Sequence, residues 1–270
     1  MDYNRTYTLD QSYFEKIDNE EKAYVLGLMY SDGNVSWNDI RHQYEFCICL
    51  HKKDSYLLEK VTKLLGSNAP LKFYKNACVI KFSSKKMCGD LINLGCVPKK
   101  SLILKFPTEE QVPDCLLSHF IRGVFDGDGT ISKKTNRNTY RVGFCGSKSF
   151  ILSLRKKLED WNIFSTFLRN YDNPLFKELT YGTFEAVELI YNMMYNNSSI
   201  YLKRKRDRFD DFFYLKEKFC RIKYIEGILH KICPSCKEFK QREEFDKFSV
   251  CLSGRTSFCK KCLEHKSCGT

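Results

Sequence analysis

The chain has 270 residues, 43% of them hydrophobic, enough to fill a sizeable core, so folding needs no disulfide framework. Its 45 Lys+Arg against 33 Asp+Glu give a formal charge of +12, which favours a polyanionic partner, either nucleic acid or an anionic membrane surface. There is no long apolar run, and the stretch from Met1 to Glu21 is polar, which argues against a spanning helix, a secretory leader and a membrane partner and predicts an intracellular protein.

In chain order, the first strong pattern is Tyr24-Val25-Leu26-Gly27-Leu28-Met29-Tyr30-Ser31-Asp32-Gly33, a helical apolar run ending in Asp-Gly. A short strand and then the alternation of Tyr44, Phe46, Ile48 and Leu50 follow, reading as a hairpin. Cys47 and Cys49 lie in that apolar stretch, and most of the fourteen cysteines are expected to be reduced, buried thiols. Leu57, Val61 and Leu64 form one helical stripe, a second hairpin spans Leu71 to Phe82, and Met87, Leu91 and Leu94 mark a third helix. Pro98 to Pro113 reads as a linker.

The pattern then repeats 96 residues later as Phe120-Ile121-Arg122-Gly123-Val124-Phe125-Asp126-Gly127-Asp128-Gly129. Tyr140, Val142 and Phe144 alternate as a strand, Ile151, Leu154 and Leu158 form a stripe, and a hairpin from Phe164 to Tyr181 precedes a helix carrying Val187, Ile190 and Met194. The fold class is therefore α+β, with two αββαββα halves over residues 1–105 and 106–221 and a compositionally different module over 222–270.

Glycine in mid-helix costs roughly 1 kcal/mol against alanine unless close packing recovers it. Gly27 and Gly123 both accept that cost, so the two helices are expected to pack through them and bring Asp32 and Asp128 side by side. One Asp-Gly is ordinarily just a turn, but two carboxylates at the negative ends of two helix dipoles repel unless a divalent cation such as Mg²⁺ or Mn²⁺ joins them. Hard oxygen ligands suit that cation, which activates water against a phosphodiester.

Leu26-Gly27-Leu28-Met29-Tyr30-Ser31-Asp32-Gly33 and Gly123-Val124-Phe125-Asp126-Gly127-Asp128-Gly129 resemble the LAGLIDADG signature of homing endonucleases, the second copy more closely. The resemblance covers about residues 20 to 210, and two copies in one chain imply the family's monomeric form, with metal-binding acids at Asp32 and Asp128 and saddle-shaped sheets over the major groove of a long double-stranded DNA site. It also implies a basic residue after each half's last helix, which falls on Lys100 and Lys205, with Lys203 and Arg204 nearby as DNA contacts. The first copy departs from the pattern at Tyr30, where the second has Asp126. Arg141 lies opposite the apolar face of its strand, where it could read guanine. On the same fold, a non-cleaving DNA-binding regulator or an RNA intron maturase is the alternative; retention of both acids favours cleavage.

The tail carries Cys233-Pro234-Ser235-Cys236 and Cys259-Lys260-Lys261-Cys262, two Cys-x-x-Cys knuckles separated by 22 residues, a spacing suited to one tetrahedral structural Zn²⁺. Cys251, His265 and Cys268 are lesser substitutes, and Phe239, Phe245 and Phe248 are expected to form a small core over the metal. From Arg221 onward there are 11 Lys+Arg against 6 Asp+Glu, a net +5 that suits auxiliary DNA binding.

Overall fold

The computed structural model describes residues 6–133, 140–220, 222–248 and 254–267, with the side chains of 215–220, 223–224 and 265–267 outside the description. α1 (Glu20–Ser31) opens where Asn19 accepts a hydrogen bond from the Lys22 amide, with Glu20 and Glu21 set against the positive end of the helix dipole. Every residue from Ala23 to Tyr30 is buried, which is why the segment is apolar all round rather than striped.

β1 (Gly33–Asn38) leaves that helix directly and pairs antiparallel with β2 (Gln43–His51), placing Gly33 opposite Ile48. α2 (Ser55–Leu64), β3 (Lys72–Phe73), β4 (Ala77–Ser83) and α3 (Lys85–Asn93) complete the first half, and the Ser84 side chain caps α3 by accepting from the Met87 amide. The second half repeats the order as α4 (Leu117–Asp128), β5 (Thr130–Lys133), β6 (Tyr140–Ser147), α5 (Lys148–Asp160), β7 (Phe167–Asn170), β8 (Phe176–Tyr181) and α6 (Phe184–Tyr195). The two four-stranded sheets have matching orders, β1-β2-β4-β3 and β5-β6-β8-β7, so the expected αββαββα duplication is what the chain builds. One hydrophobic core runs through both halves.

Pro98 to Pro113 is not a loose tether. Leu104 and Val112 are buried, Phe106 packs on Phe120 and Phe150 at ring distances of 6.2 and 5.4 Å, and the Ser147 hydroxyl donates to the Leu104 carbonyl. After α6, Lys203-Arg204-Lys205-Arg206 and the Phe- and Tyr-rich residues that follow form one helix, α7 (Lys203–Cys220), about 27 Å long at 1.5 Å per residue. Its Phe209 and Phe212 are buried, against Phe125 and Tyr195 and against Tyr140 and Phe184 respectively.

The tail forms β9 (Ile222–Ile225), β10 (Ile228–Ile232), β11 (Phe239–Gln241) and α8 (Lys260–Ser267), with sheet order β11-β10-β9. Two expectations need correction. Only Phe245 joins the module's core, with Cys233 and Cys259; Phe239, on an edge strand, is 42% exposed and Phe248 is 49% exposed, because the thiols themselves fill so small an interior. Cys47 and Cys49 are not core residues either, since Phe46, Ile48 and Leu50 take the inner face of β2 and period-two alternation turns the two thiols to the open face.

Candidate active site and metal centre

The site is built on the crossing of α1 and α4. A Cβ at Gly27 would overlap the Phe120 carbonyl and lie 3.0 Å from the Gly123 Cα, and a Cβ at Gly123 would overlap the Tyr24 carbonyl. Both glycines are therefore required by backbone contact. A third takes part at the far end of the crossing, where a Cβ at Gly127 would overlap the Ser31 hydroxyl and come 2.7 Å from a carboxylate oxygen of Asp32. The duplication places Ser31 and Gly127 in matching positions, one filling the space that the other leaves.

At that end α1 closes with the Asp32 amide donating to the Leu28 carbonyl at 2.9 Å, and α4 closes with the Gly129 amide donating to the Phe125 carbonyl at 2.8 Å. Both acids thus sit at the negative ends of helix dipoles, Asp32 half-buried and Asp128 exposed. Burial first, and then the charge of Asp128, raise Asp32 to about 6, with Lys205 and Lys100 opposing. Loss of hydration around its carboxylate raises Asp128 as well, against the same two lysines.

The lysines nominated from the resemblance arrive from either side. The Lys100 ammonium donates to the Gly33 carbonyl, next to Asp32. Lys205, 6% exposed, donates to the carbonyls of Phe125 at 2.6 Å, Gly127 at 2.9 Å and Gly129 at 2.6 Å, around Asp128. Burial lowers the Lys205 ammonium to about 8.

The first residues of α7 join the halves. Arg204 donates to Asp54 at 2.9 Å, and the Lys203 amide donates to the Tyr56 hydroxyl at 2.6 Å, both across to the start of α2. Arg141 is exposed on β6 between the buried Tyr140 and Val142, on the sheet face away from the core. The same open faces carry ion pairs of Lys81 with Glu45 and of Arg169 with Glu178.

Two buried polar groups at the crossing, Arg122 and Asp126, have partners that the sequence pattern does not indicate. Arg122 donates to the Ile200 and Met194 carbonyls at 2.9 and 2.8 Å and to Glu20 at 2.8 Å, tying the start of α1 to the end of α6. Asp126 accepts from the Tyr24 hydroxyl at 2.8 Å, the Tyr195 hydroxyl at 2.6 Å and the Leu202 amide at 2.6 Å. Tyr30, at the matching place in α1, instead donates to the Leu94 carbonyl at 2.6 Å. The one sequence signal was a charged residue inside an apolar helix, which demands a buried partner.

In the module, the sulfurs of Cys233, Cys236, Cys259 and Cys262 all lie within 4.8 Å of one another. Tetrahedral Zn–S bonds of about 2.3 Å would put sulfurs roughly 3.8 Å apart, so the set fits one zinc ion. The Cys259 amide lies 3.4 Å from the Cys233 sulfur, a donor that favours thiolate there. Cys251 and Cys268, and the side chain of His265, lie outside the described residues.

Residues 116–195, most of the second repeated unit, match the LAGLIDADG-like domain. The chain carries a LAGLIDADG fold. The LAGLIDADG homing endonuclease I-GzeII, in complex with its DNA target, matches with a TM-score of 0.52 and 11% identity over 75% of this chain and 91% of that one. The meganuclease I-SmaMI bound to uncleavable DNA matches with a TM-score of 0.51 and 12% identity over 71% and 89%. I-AabMI bound to uncleaved DNA gives 0.50 and 15% over 74% and 91%. At these identities the likeness to the meganucleases is one of fold. No curated protein matches the chain, and no described helix is long and apolar enough to cross a membrane.

Proposed function

We propose that this LAGLIDADG chain is a monomeric, site-specific endonuclease that hydrolyses both strands of a long double-stranded DNA target, with Mg²⁺ or Mn²⁺ held by Asp32 and Asp128. The observation that carries this reading is the convergence of two carboxylates, Asp32 half-buried and Asp128 exposed, both with raised proton affinity, at the end of a glycine-lined helix crossing in a fold with two matching four-stranded sheets. Two like charges placed there favour a shared cation, and the oxygen-only donor set suits a hard one. When bound, that metal would activate water and stabilise the leaving oxygen of a phosphodiester. The protein's own part is to fix the two acids on rigid helix ends, to hold phosphates with its +12 charge and to present Arg141 from an open sheet face. The relatives' DNA complexes support the choice of partner. A zinc ion on Cys233, Cys236, Cys259 and Cys262 would fold the tail around Phe245.

The full chain should cut a reproducible site from a randomised duplex library with Mg²⁺. Asp32→Asn and Asp128→Asn should each slow cleavage of that site by about 100-fold, ~3 kcal/mol of transition-state stabilisation, while leaving the Kd within about twofold. Tight binding with intact DNA would remove the enzymatic reading and leave a DNA-binding regulator; preference for folded intron RNA over duplex would point to a maturase.

A further inference from the structure

The duplication puts Lys100 and Lys205 in matching places, yet their partners do not match. A lysine ammonium has three N–H donors. Lys205 spends all three on the Phe125, Gly127 and Gly129 carbonyls, the last turn of α4 and the residue beyond it. The Phe125 carbonyl also accepts from the Gly129 amide at 2.8 Å, so Lys205 gathers the closing turn around one ammonium, and the cation meets the negative pole of the dipole. Its ammonium further lies 5.3 Å from the centre of the Phe125 ring. Lys100, by contrast, spends one donor, on the Gly33 carbonyl, among the described residues.

We propose that the two lysines divide the work. Lys205 is a positioning residue, a buried cap that fixes the end of α4 and with it Asp128, whereas Lys100 is the lysine with donors free for a phosphate oxygen of the DNA. The second clause rests on the nuclease reading above; the first does not.

The surroundings differ in the same sense. Asp126 binds the Leu202 amide, and the Leu202 carbonyl accepts from the amides of Lys205 and Arg206 at 3.0 and 3.2 Å, so the start of α7 is locked onto α4 by a buried carboxylate. The first half has no such lock. Tyr30 stands where Asp126 would be and binds the Leu94 carbonyl, and Lys100 follows Lys99, which holds a left-handed φ of 56° in a tight turn. For Lys205 to reach a phosphate it would have to give up three hydrogen bonds to carbonyls, those to Phe125 and Gly129 made in buried positions, a loss that a lightly tethered Lys100 does not face.

The test uses the full chain as wild type, Lys100→Ala, Lys205→Ala, Lys205→Met and Asp126→Asn, with two readouts. The first is the Tm without DNA. Lys205→Ala and Asp126→Asn should lower it by about 5 °C or more, and Lys100→Ala should leave it within about a degree. The second is single-turnover nicking and linearisation of a supercoiled plasmid bearing the site recovered by selection, as a function of Mg²⁺ and Mn²⁺. Lys205→Ala should need more metal, and saturating metal should bring it within about tenfold of wild type, because its defect is a misplaced Asp128. Lys100→Ala should stay about 100-fold slow at any metal concentration. If Lys205→Ala does not fold, Lys205→Met, which keeps the stem over Phe125, and Asp126→Asn carry the same comparison. Equal Tm values for the two lysine variants, or equal and metal-insensitive losses of cleavage, would overturn the division. A wild-type chain that cuts nothing would sink the nuclease reading, while the Tm comparison would still decide whether Lys205 is the cap.

Discussion

Asp32 and Asp128 are the residues on which most depends, and their raised proton affinity has a consequence for stability. Burial and the neighbouring Asp128 charge raise Asp32 from the ordinary carboxylate range to about 6. Between about pH 4 and pH 6 the folded protein holds a proton there that the unfolded chain has lost, so stability falls as the pH rises through that window. A shift of about two pH units corresponds to about 3 kcal/mol at most. His119, whose proton affinity is lowered by burial and by Arg122, acts in the opposite sense below about pH 6.5, so the comparison belongs between wild type and Asp32→Asn. In metal-free buffer the advantage of Asp32→Asn over wild type in urea unfolding should grow from pH 5 to pH 7, and added Mg²⁺ should shrink it by stabilising the wild type. An advantage that is flat with pH would mean that Asp32 is not held in a strained ionised state. The acids themselves were legible in the sequence because a whole decapeptide context repeats around them. Asp126 and Arg122 were not, because their partners lie far along the chain, Tyr24 at 102 residues and Tyr195 at 69 residues from Asp126, and no local spacing encodes such a bond.

At the scale of elements, the αββαββα order and the helix crossing could be read from apolar periodicity and from two glycines that make sense only if something approaches closely. Gly27→Ala should raise intrinsic helix propensity by about 1 kcal/mol, yet lower overall stability by about 3 kcal/mol, because the new methyl meets the Phe120 carbonyl and the Gly123 backbone rather than a side chain that can move. Chemical denaturation checks the sign: a stabilised Gly27→Ala would show that α1 and α4 are not held in backbone contact. Gly127→Ala should instead act on the site, since its methyl would displace Ser31 and Asp32. The elements missed were those without a clean period. In α7 four consecutive basic residues obscured the buried Phe209 and Phe212, and the Pro98 to Pro113 segment carries its buried Leu104 and Val112 without regular spacing.

At the scale of the whole molecule, the chain has two separate apolar clusters, a large one spanning both halves and a small one of Cys233, Phe245 and Cys259. Part of the link between tail and core is polar: Arg242 lies 3.5 Å from Glu185 and 3.9 Å from Glu188 on α6, while Ile222 at the start of β9 packs on the large core. The two knuckles could be read from spacing alone, whereas this docking could not, since ion pairs between distant segments leave no periodic trace. A module whose interior is mostly cysteine has little hydrophobic burial to keep its fold. Zinc should therefore be present at about one equivalent, and a strong chelator should abolish hydrogen-exchange protection over residues 222–267 while leaving α1, α4 and both four-stranded sheets protected. Because Ile222 of β9 packs on the large core while Cys233, Phe245 and Cys259 form a separate cluster, unfolding should stop near the start of β9. Loss of protection throughout the chain on chelation would show instead that the tail module and the two repeated halves form one cooperative unit, and intact protection of the tail without zinc would reject the proposed metal site.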